Sequence, residues 1–188
     1  MMTKIAYCMW DQDGVSFPFT RIANKYFGWP DREWTVWSEF EKHGWTAEQF
    51  LGRLRAFESD GGFRYGDPYP DFVEAHTRLQ EMGVVPIVVT DKPTDRGVQD
   101  NLEWLREIGC EPHKIIRSRV KADVLDHTID KSLPVFGIDD NVGHVEAMRS
   151  AGITAFLRDR PWNQHGDHLP RVFSLHQFAD IVEILLIP

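Results

Sequence analysis

The sequence predicts an α/β domain with a mainly parallel sheet and a small helical cap inserted after the first strand. Three observations predict it. Short apolar runs rich in β-branched residues alternate with longer amphipathic stretches, as the units of a parallel sheet do. Three of those runs end directly in aspartate: Asp11 follows the first, Asp91 the second, and the pair Asp139 and Asp140 the fourth. One stretch, residues 16–66, breaks the alternation and reads as helices alone. The core is therefore expected to comprise residues 1–15 and 67–188, with residues 16–66 as the cap.

Taken in order, the first strand is expected over residues 5–10, and Gly14 then lets the chain turn sharply away. Three helices follow, over 17–27, 32–42 and 47–57; Thr46 with Gln49 has the spacing of a capping box at the start of the third. Four of the seven tryptophans, Trp29, Trp34, Trp37 and Trp45, fall in this insert. A small helical insert needs large side chains to form a core, so most of them are assigned to packing and one or two to a flat substrate group. The glycine-bearing segment ESDGGFRYGDP returns the chain to the core. The remaining strands are expected over 84–90, 114–117, 133–138 and 154–157. Gly83, Gly109 and Gly152 each close an amphipathic run, as a left-handed helix cap requires. Ser174 with Gln177 opens a terminal helix whose apolar run, 181–187, is too short to anchor in a membrane.

The bulk properties narrow the function. With 188 residues and 42% hydrophobic content, the chain can bury one good core. Its net charge of -8 argues against a general binder of nucleic acid or anionic membrane, which needs a basic face. Cys8 lies in an apolar run and Cys110 follows a glycine, so neither suggests a disulfide framework. The amino-terminal apolar stretch is too short for a signal peptide. A soluble, cytoplasmic protein is expected.

The chemistry is concentrated at the strand ends, where open parallel sheets bind their ligands. Asp11 and Asp13 at the mouth of a buried strand are costly unless a cation sits between them, and Mg²⁺ takes such oxygen ligands. With the metal drawing off charge, Asp11 can attack a phosphoryl group. Asp13 would then protonate the leaving oxygen and later take a proton from water. Adjacent Asp139 and Asp140 repel each other and ask for the same cation.

In that order, DQDGV, VVTDK, a lysine near RVK, and GIDDN resemble the four motifs of haloacid-dehalogenase-like phosphohydrolases. The resemblance covers nearly the whole chain and implies a Rossmann-like three-layer core. It implies Asp11 as nucleophile, Asp13 as acid/base, and Thr90 as the hydroxyl that bonds the phosphoryl oxygens. The motif lysine is Lys121 or Lys131. Lys121 is preferred because it follows the third strand at an expected helix start, where backbone N–H groups also favour phosphate. The metal set implied is Asp11, Asp13, Asp139 and Asp140. Dehalogenases of this superfamily lack the second aspartate, so Asp13 indicates phosphate chemistry.

A closer resemblance is to the 5'(3')-deoxyribonucleotidases, carried by DQDGVSFPF, GGFRYGDPYPDF and FLRDRPWNQH. It implies a small-molecule phosphomonoester substrate, a nucleotide, with its base near Phe17, Phe63 and Tyr65 at the cap hinges; Asp91, also assigned to substrate binding, follows Thr90 where those enzymes tend to carry a small residue. The alternative is a nucleic-acid 3'-end phosphatase: IDDNVGHVEAMRSAGI is similar to the phosphatase half of polynucleotide kinase-phosphatases, and Arg117, Arg119, Arg158 and Arg160 would have to gather near the crevice. A non-catalytic binding protein on the same fold is the reading from another class. His165, Asp167 and His168 read as a polar turn rather than a zinc site.

Overall fold

The computed structural model describes residues 4–124, 129–130 and 132–187 of the chain. Lys131 lies outside the described residues. The elements are β1 (Ala6–Trp10), α1 (Phe19–Phe27), α2 (Glu39–Lys42), α3 (Ala47–Ser59), α4 (Phe72–Glu81), β2 (Val84–Thr90), α5 (Asp95–Glu107), β3 (Lys114–Arg117), β4 (Val135–Asp139), α6 (Val142–Ser150), β5 (Thr154–Arg158), β6 (Arg171–Val172) and α7 (Leu175–Leu186). The strands form one six-stranded sheet in the order β3-β2-β1-β4-β5-β6, and every pairing is parallel.

β1 and β2 are buried along their whole length because both faces of the sheet are covered. Side chains alternate between two apolar layers. Ala6, Cys8 and Trp10 join Phe72 and Leu79 of α4, Trp104 and Leu105 of α5, and Phe178 and Val182 of α7. Tyr7 and Met9 join Val145 and Met148 of α6 on the other face. The result is a three-layer α/β sandwich.

The strand order reverses between β1 and β4, and this switch point is where a crevice opens beyond the strand ends. Trp10 is level with Val88 of β2 and Ile138 of β4. Asp11 therefore emerges beside Asp139, and its N–H donates to the Ile138 carbonyl at 3.0 Å. The helix stops read in the sequence are real: Gly83, Gly109 and Gly152 all have positive φ, at 83°, 76° and 86°.

Between β1 and α4 the chain is helical, with an aromatic core that is continuous with one layer of the sandwich. Phe19 lies 5.8 Å from Trp34 and 6.1 Å from both Phe57 and Phe63, while Trp29 stacks on His43 at 3.9 Å. The third helix starts on the expected capping box of Thr46 and Gln49. The second differs from expectation, since only Glu39–Lys42 is helical within 32–42. Buried Asn24 explains this. Its side-chain amide donates to the carbonyls of Pro30 and Arg32 at 2.9 and 2.7 Å and accepts from the Trp34 indole at 2.7 Å, so those backbone groups are drawn out of a helical ladder.

Candidate active site

Asp11 through Phe17 form a tight loop at the end of β1, in which the N–H groups of Ser16 and Phe17 both bond the Gln12 carbonyl, at 3.1 and 2.9 Å. Gly14 turns it with φ 73°. A Cβ there would also run into the Asp140 carboxylate, so glycine serves both the turn and the close approach of the two aspartates.

A cavity of about 400 Å³ opens above the strand ends, lined by Asp11, Asp13, Thr90, Asp91, Lys121, Asp139 and Asp140. Lys121 starts a short 3₁₀ turn after β3 and is buried, as are Asp11, Thr90, Asp139 and Asp140. Its ammonium donates to Asp11 Oδ1 and lies 2.6 Å from Asp139 Oδ2. The structure thus brings Lys121 into contact with two of the strand-end aspartates. Asp139 also accepts from the Asn141 N–H at 2.8 Å and faces His144 Nδ1 at 3.2 Å.

Carboxylate oxygens of Asp11, Asp139 and Asp140 all lie within 4.8 Å of one another. Burial pushes the Asp11 carboxyl up to about 7, with Lys121 opposing and Asp139 and Asp13 adding to it. Asp140 is pushed well up by burial and by the charges of Asp11 and Asp139. Burial also acts to raise Asp139, but Lys121 and His144 outweigh it and hold this carboxyl below its ordinary value. When all three are ionised, the carboxylates outweigh the one ammonium by two negative charges, and their ligand atoms are all hard oxygens. That donor set fits a divalent cation such as Mg²⁺.

Asp13 stands apart from this trio. Both its oxygens accept from Lys92 Nζ, at 2.6 and 2.5 Å. Its carboxylate is thus paired with a buried lysine and is not one of the three that converge. Lys92 went unrecognised in the sequence, although it ends the segment VVTDK. The available signal was a lysine leaving a fully apolar strand, where burial demands a counter-charge.

The expected substrate contacts are divided. Asp91 lines the cavity, and Phe63 covers Lys92 with its ring centroid 3.4 Å from Nζ. Phe17 is fully buried, edge-on to Trp104 at 5.1 Å, and lies outside the cavity wall. Tyr65 is 65% exposed and lines neither this cavity nor its neighbour. Phe17 is part of the aromatic core, whereas Tyr65 faces solvent. Trp37, half exposed in the insert, takes the position at the cavity wall.

Trp162 and Asn163, also unrecognised in the sequence, brace the acidic pair. The indole donates to Asp140 Oδ2 at 2.7 Å, and the Asn163 amide donates to the carbonyls of Asp140 and Arg158 at 2.8 and 2.7 Å. Of the four arginines considered above, Arg117 and Arg119 line an adjoining cavity and the other two do not join them. Arg158 is buried against Asp71 at 2.8 Å, and Arg160 donates to the Gly14 carbonyl at 2.6 Å beneath Tyr69. His168 pairs with Glu146 at 2.8 Å, and among the described residues the aspartate trio is the one cluster suited to a metal. Both cysteines are free and buried, and no described helix is long and apolar enough to cross a membrane.

No protein-family model matches the sequence, and no curated protein is significantly similar to it. Solved structures share its architecture. A haloacid-dehalogenase-like family hydrolase from Streptococcus pneumoniae matches with a TM-score of 0.66 at 16% identity, over 96% of this chain and 100% of the other. A Clostridium difficile protein described as a phosphatase matches with 0.66 at 14% identity, over the same shares. A dehalogenase matches with 0.61 at 12% identity, over 96% of this chain and 98% of its own. The chain has the haloacid-dehalogenase-like fold, which hosts both chemistries named in those descriptions. Choosing between them falls to the side chains.

Proposed function

We propose that this chain is a magnesium-dependent phosphomonoester hydrolase in which Asp11 accepts the phosphoryl group and passes it to water. The observation that carries the reading is Lys121 bridging Asp11 and Asp139 inside a buried carboxylate trio at the switch point of the sheet. A dehalogenase has no use for a second carboxyl beside the nucleophile, whereas Asp13 lines the same cavity.

Asp11, Asp139 and Asp140 would hold Mg²⁺, which when bound supplies the missing positive charge and polarises a phosphoryl oxygen. An Asp11 oxygen attacks phosphorus, and the bond from phosphorus to the leaving oxygen breaks. Asp13 hands that oxygen a proton, drawn along the short hydrogen bond from Lys92. Water then attacks phosphorus, Asp13 takes its proton and returns it to Lys92, and Asp11 is released with inorganic phosphate. Lys121 balances charge on Asp11 and on the moving phosphoryl group throughout, and Thr90 at the end of β2 donates to the phosphoryl oxygens.

Residues 16–66 act as the cap and choose the leaving group, which we read as a nucleoside. The support is Trp37, a flat indole half exposed at the cavity wall and 6.1 Å from Trp162. On this reading the activity is of the 5'(3')-deoxyribonucleotidase kind, on nucleoside monophosphates. The test is phosphate release from deoxynucleotides, ribonucleotides, sugar phosphates and 3'-phosphorylated oligonucleotides, with Mg²⁺ and with chelator. Asp11→Asn should lower turnover by more than about 10³-fold with the fold retained. Turnover that survives chelation or Asp11→Asn would overturn the mechanism, and preference for the oligonucleotide would overturn the substrate.

A further inference from the structure

A second cavity of about 580 Å³ adjoins the first and shares Asp13, Trp37 and Asp91 with it. Its walls come from both parts of the molecule. Phe50, Leu51, Leu54 and Arg55 of α3 face the segments after β2 and β3, which contribute Lys92 and Pro93, and Ser118 and Arg119, with Arg117 at the β3 end. The volume is that of a small-molecule site, and half of the wall is apolar, suited to a carbon skeleton.

Its charge is opposite to that of the chain. Lys92 and Asp13 satisfy each other, which leaves three guanidiniums, Arg55, Arg117 and Arg119, facing one carboxylate, Asp91. Arg119 Nε lies 3.4 Å from Asp91, and Arg117 lies 3.0 Å from Asp95, a side chain 93% exposed. Pairs this open to water hold weakly and leave most guanidinium N–H groups available. Arg55 makes no ion pair among the described residues. Three arginines, one from α3 and two from the end of β3 and the segment after it, meet at one cavity with only solvent-exposed carboxylates to offset them, and their planar forks suit phosphate or carboxylate. In a chain with a net charge of -8, such a local field also offsets the repulsion that an anionic substrate would meet.

We propose that this cavity is a subsite for a second anionic group on the leaving side of the substrate, so that the preferred substrates are phosphomonoesters carrying a further phosphate or carboxylate. The proposal rests on the phosphatase reading and deepens it. The leaving group passes Asp13 and Trp37, which line both cavities, and its far end reaches the arginines.

The experiment compares kcat/KM in Mg²⁺ for substrates matched except for the second anion. The pairs are a nucleoside 5'-monophosphate against the 3',5'-bisphosphate, a hexose 6-phosphate against the 1,6-bisphosphate, and phenyl phosphate against 4-carboxyphenyl phosphate. A preference of about tenfold or more for the anion-bearing member of at least one pair is expected, the size of a charge-assisted hydrogen bond. The first two pairs report a phosphate as the second anion and the third a carboxylate. In Arg55→Gln and Arg119→Gln the preference should shrink toward unity, and added salt should shrink it in the unaltered protein. Equal turnover within every pair would overturn the subsite while leaving the phosphatase reading intact. A preference untouched by both substitutions would overturn its placement. No turnover of any substrate would overturn both readings.

Discussion

Lys92 places a full positive charge between two phenyl rings, a situation that costs several kcal/mol unless the charge is closely compensated. The compensation comes from both oxygens of Asp13 and from the face of Phe63. Burial lowers the pKa of this ammonium while Asp13 opposes the change, so the proton is held less firmly than on a surface lysine. In Lys92→Met, Asp13 loses its proton source. Leaving groups that need a proton should suffer most: kcat on a nucleoside or sugar monophosphate should fall about 10²-fold, and on nitrophenyl phosphate, whose phenolate leaves unaided, much less. Equal losses on both would remove Lys92 from the proton path. Gly14 allows a second test, because any side chain there must adopt φ 73° and displace Asp140. Gly14→Ala should cost about 2 kcal/mol, read from the urea midpoint, and should raise the Mg²⁺ concentration needed for half-maximal activity.

Among the elements, α4 carries a histidine into the apolar layer against β1. His76 lies 6.3 Å from Trp10 and 5.7 Å from Phe72, and neither ring nitrogen has a hydrogen-bond partner among the described residues. Burial lowers its pKa from 6.5 to about 4. A folded value below the unfolded one means that this contribution to stability is present above about pH 6.5 and is lost as pH falls toward 4, amounting to about 3 kcal/mol. His76→Phe should therefore lose less stability than the unaltered protein between about pH 7 and about pH 4.5, compared by urea denaturation. Parallel acid losses in the two proteins would reject the assignment. At this scale the sequence is read well where a local rule acts alone. Thr46 and Gln49 cap each other as their spacing requires. At α7, Ser174 accepts from Gln177 N–H, but the Gln177 side chain reaches the N–H of Phe173 instead of closing the box. The expected helix over 32–42 shrinks to α2 because Asn24, eight residues before Arg32, takes the backbone carbonyls.

For the whole molecule, the carboxylate trio sets a conflict between folding and function. The folded-state values of Asp11 and Asp140 are raised, so the stability they contribute is present below the ordinary carboxylate range and is lost as pH rises, for Asp11 through about 7. Without metal, these two groups favour the fold more at about pH 5.5 than at about pH 8. A divalent cation binds the ionised form and relieves that cost. The rise in Tm on adding Mg²⁺ should thus be larger at about pH 8 than at about pH 5.5, and Asp140→Asn should diminish it. A rise independent of pH would mean that the metal does not displace protons from the trio.

Local pattern was enough to determine the α/β class, the five longer strands and the glycine stops, since alternation, apolar runs and positive φ are properties of neighbouring residues. It also drew attention to Asp11, Asp13, Asp139 and Asp140, because carboxylates have few reasons to end buried strands, whereas Thr90 and Lys121 came from the resemblance to haloacid-dehalogenase-like phosphohydrolases. β6, two residues long, carries too little pattern to be read. Only the tertiary structure decided partners. It joined Lys121 to Asp11 across 110 positions and Lys92 to Asp13 across 79, drew Trp162 and Asn163 beneath Asp140, and put Trp37 at the cavity wall in place of Phe17 and Tyr65. Those choices depend on which charges are buried together, and that is fixed when β1 and β4 meet at the centre of the sheet.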